Sequence, residues 1–462
     1  MKNCVKLTSV ILALLLLFSV SVLPVKAEDE KAEDKLPEPV QVDYENAFKG
    51  KKLYVAGLDG GYGTDGWKAV ISKFEELTGA EVEAVFEKNI AEVVRPQIQS
   101  GSGPDVIYMS IGGEGALTDT MIKEKMIMPI EDVLARVVPG EDKMVCEKLI
   151  PGFTDTFYTN PYEDGLTYLA PINYSPCGLY YNKANFGEGK LALPETFDEL
   201  FALKDKAGEK GAAVFTYPTA GYFDAFSFAL LSEIGGPDFF NKLMNYDVEA
   251  WKSEEAGKYF ELVGKLKDVL EPNTVSQANG ELFTKNQQAV IDNKALFVPN
   301  GNWLPDEMKD APKPDDFAWG FMPLPAYDKD GDRYSFTYFE QVFIPSEAAE
   351  PELAKAFIAF LYSDEAVNLF LEKSGAVMPV LGAEEHIEDE LKKETFSIYA
   401  NGAKASMGTF AAAPPVEGVS MSDALFNAID SVMTGDKSVE EWKNGVVDAV
   451  TKLREAIEKE AE

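Results

Sequence analysis

Histidine, arginine and cysteine are scarce in this chain of 462 residues. The one histidine, His386, lies in a very polar segment where we expect it to be solvent-exposed, and a single imidazole excludes most zinc sites and His-dependent catalytic triads. Four arginines are too few for the multi-arginine clamps that commonly hold phosphate or carboxylate groups. With 43 Lys and Arg against 78 Asp and Glu, the formal charge of −35 would repel nucleic acids and anionic membrane surfaces. The composition therefore predicts no metal, no cofactor and no nucleic-acid partner.

The first 27 residues are expected to form a cleaved secretory signal peptide. Lys2 and Lys6 precede an apolar and hydroxyl-bearing run over 10–23, after which Pro24 and Ala27 supply the break and the small residue of a signal-peptidase site. The run is shorter than the roughly 20 apolar residues of a membrane-spanning helix, so an uncleaved N-terminal anchor is the weaker alternative. No cysteine stands directly after the run, where a lipoprotein signal would have one. The sequence therefore predicts export into the periplasm, into the medium or onto the cell surface.

Strand and helix signals alternate along the rest of the chain. Segment 28–43 is charged, interrupted by proline and poor in apolar residues, and it is predicted to be a disordered tether. Beyond it, strands are predicted at 52–56, 81–86 and 105–109, with helices between them at 67–77 and 90–99. Parallel strands joined by helical crossovers require a sheet that is covered on both faces. The sequence therefore predicts an α/β protein, too large for a single core.

Two features that could indicate chemistry are better explained by structure. Cys146 and Cys177 could form a disulfide in an exported protein, but two separate buried thiols are favoured. The acidic segment 328–332 fails the spacing of an EF-hand calcium loop, and it is predicted to be a β-turn between strands at 318–323 and 334–344.

A glycine-dense loop at 57–66 follows the first predicted strand and precedes the first predicted helix. Its glycine spacing does not match a dinucleotide-binding fingerprint. Ligands of open α/β sheets nevertheless bind outside the carboxyl ends of strands, where this loop lies. We therefore expect the loop, which carries Tyr62 and Asp65, to contribute to a binding site.

Aromatic residues at strand ends and in loops are the main candidates for ligand contact. They are Tyr62, Tyr108, Tyr174, Tyr222, Phe223, Trp303 and Tyr338, and their polar neighbours are Asp65, Ser110, Asn173, Asp224, Asn302 and Glu340. Aromatic faces pack against the C–H faces of pyranose rings, while carboxylates and amides bind the hydroxyl groups. This combination predicts a neutral carbohydrate as the ligand.

Six motifs follow one another along the chain. They are FEELTG at 74–79, SGPDVIY at 102–108, GLYYNK at 178–183, PETFDEL at 194–200, NKALF at 293–297 with GNW at 301–303, and the helix at 354–360 with Met378–Pro379. In this order they resemble motifs of the extracellular solute-binding proteins, family 1, which are the sugar-binding components of bacterial ABC importers and include maltose-binding protein. Each motif alone is weak, but together they span nearly the whole chain after the predicted signal peptide.

The resemblance implies an α/β, two-lobed periplasmic-binding-protein fold of type II, with the ligand cleft between lobes joined by hinge crossovers. Lobe 1 would contain residues 44–170 and 341–377, and lobe 2 would contain residues 171–339 and 380–462. The implied function is extracytoplasmic carbohydrate binding by a monomer that performs no catalysis. The protein would deliver a sugar or oligosaccharide to the permease subunits of an ABC importer by cleft closure.

Positional correspondence with the family gives the first set of ligand-facing candidates: Met109, Ser110, Asn173, Tyr174, Ser175 and Trp303. Met109 stands where the family has a loop aromatic, so Tyr62 is expected to supply that stacking contact instead. The residue pattern adds Asp65, Tyr222, Asp224, Asn302 and Glu340. Trp303 is the expected ring platform. Two alternatives stay open at this point, namely a secreted glycoside hydrolase that uses paired carboxylates, and a binding protein for another neutral solute.

Overall fold

The computed structural model describes residues 37–461 apart from positions 155, 157, 163, 220, 221 and 412. The predicted signal peptide and residues 28–36 of the predicted tether lie outside the described residues. None of the helices in the described part combines the length and the apolar character needed to cross a membrane.

The described residues form nine strands and eighteen α-helices. The strands are β1 Lys52–Leu58, β2 Glu81–Glu87, β3 Val106–Tyr108, β4 Ala170–Asn182, β5 Ala213–Phe215, β6 Ala295–Gly301, β7 Trp319–Met322, β8 Tyr334–Phe343 and β9 Lys404–Ser406. The helices are α1 Asp65–Thr78, α2 Ile90–Gln99, α3 Leu117–Lys123, α4 Glu131–Leu134, α5 Val145–Lys148, α6 Phe197–Ala202, α7 Lys204–Glu209, α8 Phe223–Met244, α9 Val248–Lys252, α10 Glu254–Lys265, α11 Thr274–Gln277, α12 Thr284–Ile291, α13 Leu304–Glu307, α14 Pro351–Leu361, α15 Asp364–Ser374, α16 Glu390–Phe396, α17 Ile429–Thr434 and α18 Val439–Ala461.

The predicted β-α-β-α-β start of the fold is confirmed. In α1 the residues Trp67, Val70 and Phe74 recur at helical spacing and are buried, and the helix ends at Gly79, whose φ of 70° is the left-handed conformation that glycine adopts easily. Strand β1 pairs in parallel with β2 on one side and with β3 on the other. The carboxyl end of β1 therefore delivers the glycine-dense loop to one edge of this half of the sheet.

Two long strands, β4 and β8, connect the two halves of the sheet. The strand order is β2-β1-β3-β8-β4-β6-β5, with β7 also paired to β4 and β9 also paired to β8. Strands β4 and β8 run antiparallel, and their register shifts between Ile172 and Tyr174. Asn173 lies at this bulge with a φ of 38°. Since β4 and β8 join the two halves of the sheet, the bulge lies at their junction. A bulge bends a strand and redirects its side chains.

The two largest of the four hydrophobic cores in the described part of the chain lie in different halves of the sheet. One core packs α1 and α14 over β1 and β3, with Phe74 and Phe357 edge to face at 5.1 Å. The other packs α8, α10 and α18 together, with Phe260 and Trp442 edge to face at 4.7 Å. Val380 and several buried residues up to 407 pack with the first core, so the predicted lobe boundary at 377–380 does not coincide with a change of core.

One local prediction is confirmed and another is wrong over its described part. A β-turn lies at 328–331 between β7 and β8, since the Gly331 N–H donates to the Asp328 carbonyl at 2.9 Å, although β7 pairs with β4 and not with β8. The described end of the predicted tether is attached to the fold, since the Val40 N–H donates to the Ala135 carbonyl at 2.9 Å and Val40 forms a bridge with Arg136. The Val137 N–H also donates to the Val40 carbonyl at 3.0 Å, so backbone pairing, which composition does not reveal, holds this end of the segment.

The remaining local predictions agree with the structure in whole or in part. His386 is exposed at the end of a short 3-10 helix, Ala383–His386. Cys146 and Cys177 are both free thiols, although Cys146 is half-buried rather than fully buried.

Candidate functional site

Two adjoining cavities lie where β4 and β8 cross between the halves of the sheet. The first, of about 280 Å³, is called the β8 cavity; it is lined by Tyr62, Ser110, Ile111, Tyr158, Asn173, Ser175 and the segment 338–341 of β8. The second, of about 680 Å³, is called the Trp303 cavity; it is lined by Gly61, Tyr62, Ser175, Tyr180, Asn302, Trp303, Pro305, Asp306, Glu340, Ser374, Gly375, Asp389, Leu391, Lys392 and Thr395. Tyr62, Ser175 and Glu340 line both cavities, so the two form one cleft.

Glu340 is the centre of a hydrogen-bond network in the β8 cavity. Its carboxylate accepts a hydrogen bond from the Tyr108 hydroxyl and another from Asn173 Nδ2 at 3.1 Å. Burial raises the pKa of Glu340, and the two donors oppose that shift. The side chain is therefore a hydrogen-bonding group held in one orientation rather than a freely solvated charge.

The bulge in β4 explains why Asn173 and Ser175 reach the cleft. Asparagine tolerates the left-handed φ found at position 173 better than most residues, because its side chain can bond locally. The Asn173 Oδ1 atom is buried without a protein partner, so this amide retains one unused acceptor beside the cavity. Ser175 is two residues further on, and its hydroxyl lies 3.2 Å from the Tyr62 hydroxyl.

Small residues in the first loop allow Tyr62 to approach β4. At Gly66 a Cβ atom would lie 2.8 Å from Ser374 Oγ, so only glycine lets the start of α1 pack this closely on α15. Gly63 adopts a φ of 63°, which a residue with a side chain rarely does. The glycine-dense sequence thus folds the loop back over the sheet and places Tyr62 between the two cavities.

Four aromatic side chains contact one another in sequence around Trp303, which lines the Trp303 cavity, and this set is called the aromatic wall: Tyr222, Phe283, Trp303 and Tyr338. The Trp303 ring lies 5.8 Å from that of Tyr338 and 6.4 Å from that of Tyr222, and Tyr222 stacks on Phe283 at 5.5 Å with 25° between the planes. A Cβ atom on Gly301 would lie 2.2 Å from the Trp303 ring, so glycine at the end of β6 permits the ring to fold back onto its own strand.

Carboxylates support the aromatic wall. Glu307 accepts hydrogen bonds from the Tyr222 hydroxyl and from Gln287 Nε2, each at 2.8 Å. Asp224, in the first turn of α8, has a pKa raised by burial, although its own helix N–H groups and the Tyr338 hydroxyl oppose the shift. The Tyr222 and Tyr338 hydroxyls therefore bond to carboxylates, while Trp303 itself lines the cavity.

The structure brings seven of the twelve predicted site residues together as cavity-lining residues: Tyr62, Ser110, Asn173, Ser175, Asn302, Trp303 and Glu340. Tyr222 and Asp224 adjoin them through the aromatic wall. Asp65 is exposed and pairs with Lys68 at 3.2 Å. Met109 and Tyr174 are buried in the hydrophobic cores. Successive side chains along an extended chain point in opposite directions, so these two residues point away from the cleft that their neighbours Ser110, Asn173 and Ser175 line.

Several cleft residues were not among the predicted contacts. Lys392, from α16, donates to the Gly375 carbonyl at 2.6 Å, and burial lowers its pKa. Asp306 and Asp389 line the same cavity, and Gln341 lines the other. Lys392 and Asp389 come from a late segment that carries no motif, so only the tertiary fold reveals them. Within the described part of the chain, no group of three or more His, Cys, Asp or Glu could hold a metal ion.

Known proteins resemble this chain in both sequence and structure. The family model described as bacterial extracellular solute-binding protein matches residues 60–368. The chain is 23% identical over 375 residues to an uncharacterized ABC transporter extracellular-binding protein of Pyrococcus horikoshii, covering 79% of this chain and 78% of that protein. It is 25% identical over 324 residues to the diacetylchitobiose-binding protein NgcE of Streptomyces coelicolor, covering 68% of this chain and 66% of that protein.

The structural likeness extends over most of the molecule. A family 1 extracellular solute-binding protein from Bifidobacterium longum subsp. infantis superposes with a TM-score of 0.65 at 18% identity, covering 88% of this chain and 100% of that protein. This likeness shows the fold, which is the predicted two-lobed α/β arrangement. Proteins of the matched family bind solutes and are not enzymes, so the glycoside hydrolase alternative is wrong. The chain belongs to the family of bacterial extracellular solute-binding proteins.

Proposed function

We propose that this protein binds a neutral saccharide in the cleft formed by the β8 and Trp303 cavities and delivers it to the permease subunits of an ABC importer. The observation that carries the proposal is that the aromatic side chains of Trp303, Tyr62 and Tyr338 line the same cleft as the hydrogen-bonding groups of Asn173, Ser175 and Glu340. A sugar ring has apolar C–H faces and polar edges, and it needs both kinds of surface at once. In this proposal the protein acts outside the cytoplasm as a monomer.

The chemistry of the cleft supports a neutral ligand. Lys392 is the one basic side chain among the cavity-lining residues that the structure describes, and Asp306 and Asp389 line the cavity with it. A strongly anionic ligand would therefore meet more carboxylates than cations. Apart from the Glu340 carboxylate, the remaining polar side chains are hydroxyls and amides, which suit hydroxyl and acetamido groups. The relative NgcE is named for diacetylchitobiose, which is a neutral saccharide.

Each side chain has a defined role in this proposal. Trp303 provides the main stacking platform, and Tyr62 contacts the same ligand from the first loop. Asn173, Ser175 and Glu340 hold hydroxyl groups from the crossing strands. Because these residues come from both halves of the sheet, a bound sugar interacts more strongly with the closed arrangement of the lobes and shifts the population toward it. We propose that the importer recognises that closed form.

A thermal-shift screen tests the ligand class. The purified protein is heated with neutral mono- and oligosaccharides, including N-acetylglucosamine and diacetylchitobiose, and in parallel with uronic acids, polyols and short peptides. A ligand that binds only the folded state raises stability by about 2.7 kcal/mol at a hundredfold excess over Kd. We expect the shift with a neutral saccharide and its loss in Trp303→Ala. A shift with peptides or uronic acids alone would instead indicate another solute.

A further inference from the structure

Asp430, in α17, accepts hydrogen bonds from two separate loops. On one loop, the Tyr217 hydroxyl donates to Asp430 Oδ1 at 2.7 Å and the Thr219 hydroxyl donates to the same atom at 3.1 Å. On the other loop, Asn279 Nδ2 donates to Asp430 Oδ2. Burial together with the Asp430 charge raises the pKa of Tyr217, so that hydroxyl stays a donor. Asp430 itself lines neither cavity.

The two loops lead directly to two members of the aromatic wall. Thr219 precedes Tyr222 by three positions, and Asn279 precedes Phe283 by four. Tyr222 and Phe283 stack on each other, and Tyr222 contacts Trp303. The loops are also joined without Asp430, since the Thr219 N–H donates to the Ala278 carbonyl at 2.9 Å. The carboxylate therefore fixes the angle and spacing of a pair of loops that are already adjacent.

We infer that Asp430 is a positioning residue for ligand binding, which acts through Tyr222 to set the orientation of Trp303. A carboxylate that accepts three hydrogen bonds can hold both loops at once. In an asparagine at this position, the NH2 group would replace one accepting oxygen, so at least one of the three donors would face another donor and lose its bond. Loss of the bonds would let the Tyr222–Phe283 pair shift, and the ring of Trp303 would lose one of the neighbours that limit its rotation. This inference rests on the proposed function for its affinity measurement only.

The first test needs no ligand. The protein is labelled with 5-fluorotryptophan, and the ¹⁹F signal of Trp303 is identified among the five tryptophans with Trp303→Phe. Asp430→Asn should shift or broaden the Trp303 signal and leave that of Trp67, in the other core, unchanged. The matched control is Asp423→Asn, which removes an exposed carboxylate bonded only locally to Asn427. An unchanged Trp303 signal in Asp430→Asn would overturn the inference.

The second test measures whether the effect passes through Tyr222. With diacetylchitobiose as the probe, Asp430→Asn should raise Kd about fivefold, since coupled residues interact by about 1 kcal/mol. In a Tyr222→Ala background the same change should alter Kd by less than about twofold. Equal weakening in both backgrounds, or a lower melting temperature with unchanged Kd, would show a purely structural role. If wild-type protein gives no binding heat, the proposed function fails for this probe while the ¹⁹F test still decides the inference.

Milder variants guard against loss of folding. If Asp430→Asn does not fold, Tyr217→Phe and Thr219→Val each remove one donor while the carboxylate stays in place. Each should move the Trp303 signal in the same direction by a smaller amount. The absence of any movement in both variants would contradict the inference.

Discussion

Gly301→Ala tests whether the Trp303 ring position controls binding. In the structure, a Cβ atom on Gly301 would lie 2.2 Å from two carbons of the Trp303 ring. Ordinary van der Waals contact begins at 3.4 Å, so the ring must retreat by about 1.2 Å, the difference between these distances. The backbone of Gly301 does not have a positive φ, so alanine itself fits the chain there. The substitution therefore displaces one ring without removing it.

Displacing the Trp303 ring should weaken sugar binding more than it lowers the free energy of unfolding. Trp303 is half-buried, so it can rotate outward, and we expect a loss of about 1 kcal/mol of unfolding free energy, the low end for overpacking. Removing an aromatic anchor from a binding site costs about 2 kcal/mol or more, and a displaced anchor should lose about 1–2 kcal/mol. This corresponds to a rise in sugar Kd of about 5- to 30-fold.

Calorimetric titration and thermal melting of the same samples measure both quantities. Gly445→Ala in α18 is the matched control, because a Cβ atom there meets nothing within 4 Å. It should raise stability slightly through helix propensity and leave Kd unchanged. Trp303→Ala should weaken binding at least as much as Gly301→Ala does. Wild-type affinity in Gly301→Ala would mean that the Trp303 ring either does not stand against Gly301 or does not stack on the ligand.

Two further predictions concern buried polar groups. Burial raises the pKa of Glu233 well above its usual range, and Glu233 accepts one bond, from the Tyr334 N–H at 2.9 Å. Below the pKa of Glu233 in the unfolded chain, the folded and unfolded states both hold the Glu233 proton. As the pH rises, the unfolded chain loses this proton first, so the stability of the folded state falls. Glu233→Gln should therefore raise the melting temperature at about pH 8 but not at about pH 4. An equal change at both pH values would contradict this. Asn173→Ala should lose about 1–2 kcal/mol more unfolding free energy in urea than Asn173→Gly, because both lose the bond to Glu340 but only alanine places a Cβ atom at the positive φ; both should weaken sugar binding by removing the amide beside Glu340. Equal stability of the two variants would show that the bulge carries no strain.

The first third of the fold could be predicted from sequence because its signals are local. The buried face of α1 and the glycine that ends it are fixed by spacing within fourteen residues, and the flanking strands are bounded by polar loops. The pairing of β7 with β4 could not be predicted this way. It depends on the sheet order, which brings together segments more than 130 residues apart in the chain.

The residues of the candidate site also divide into those that local sequence can predict and those that depend on the tertiary fold. Ser175 and Asn173 face the cleft while Tyr174 between them fills the core, and alternation along a strand could have separated these three residues from sequence alone. Which of the two faces pointed to the cleft depended on the bulge, and no residue type specifies a bulge uniquely. Lys392 reaches the cleft through tertiary packing of α16, so its role carried no local signal.

Whether the cleft binds a saccharide is tested by calorimetric titration of the purified protein with a panel of neutral mono- and oligosaccharides, followed by chromatography of each sugar. We expect at least one saccharide to give saturable one-site heat with a Kd near the micromolar range, about −8 kcal/mol, and to be recovered intact. If no member of the panel gives binding heat, or if the bound sugar is recovered as cleavage products, the cleft is not a saccharide-binding site of the kind proposed.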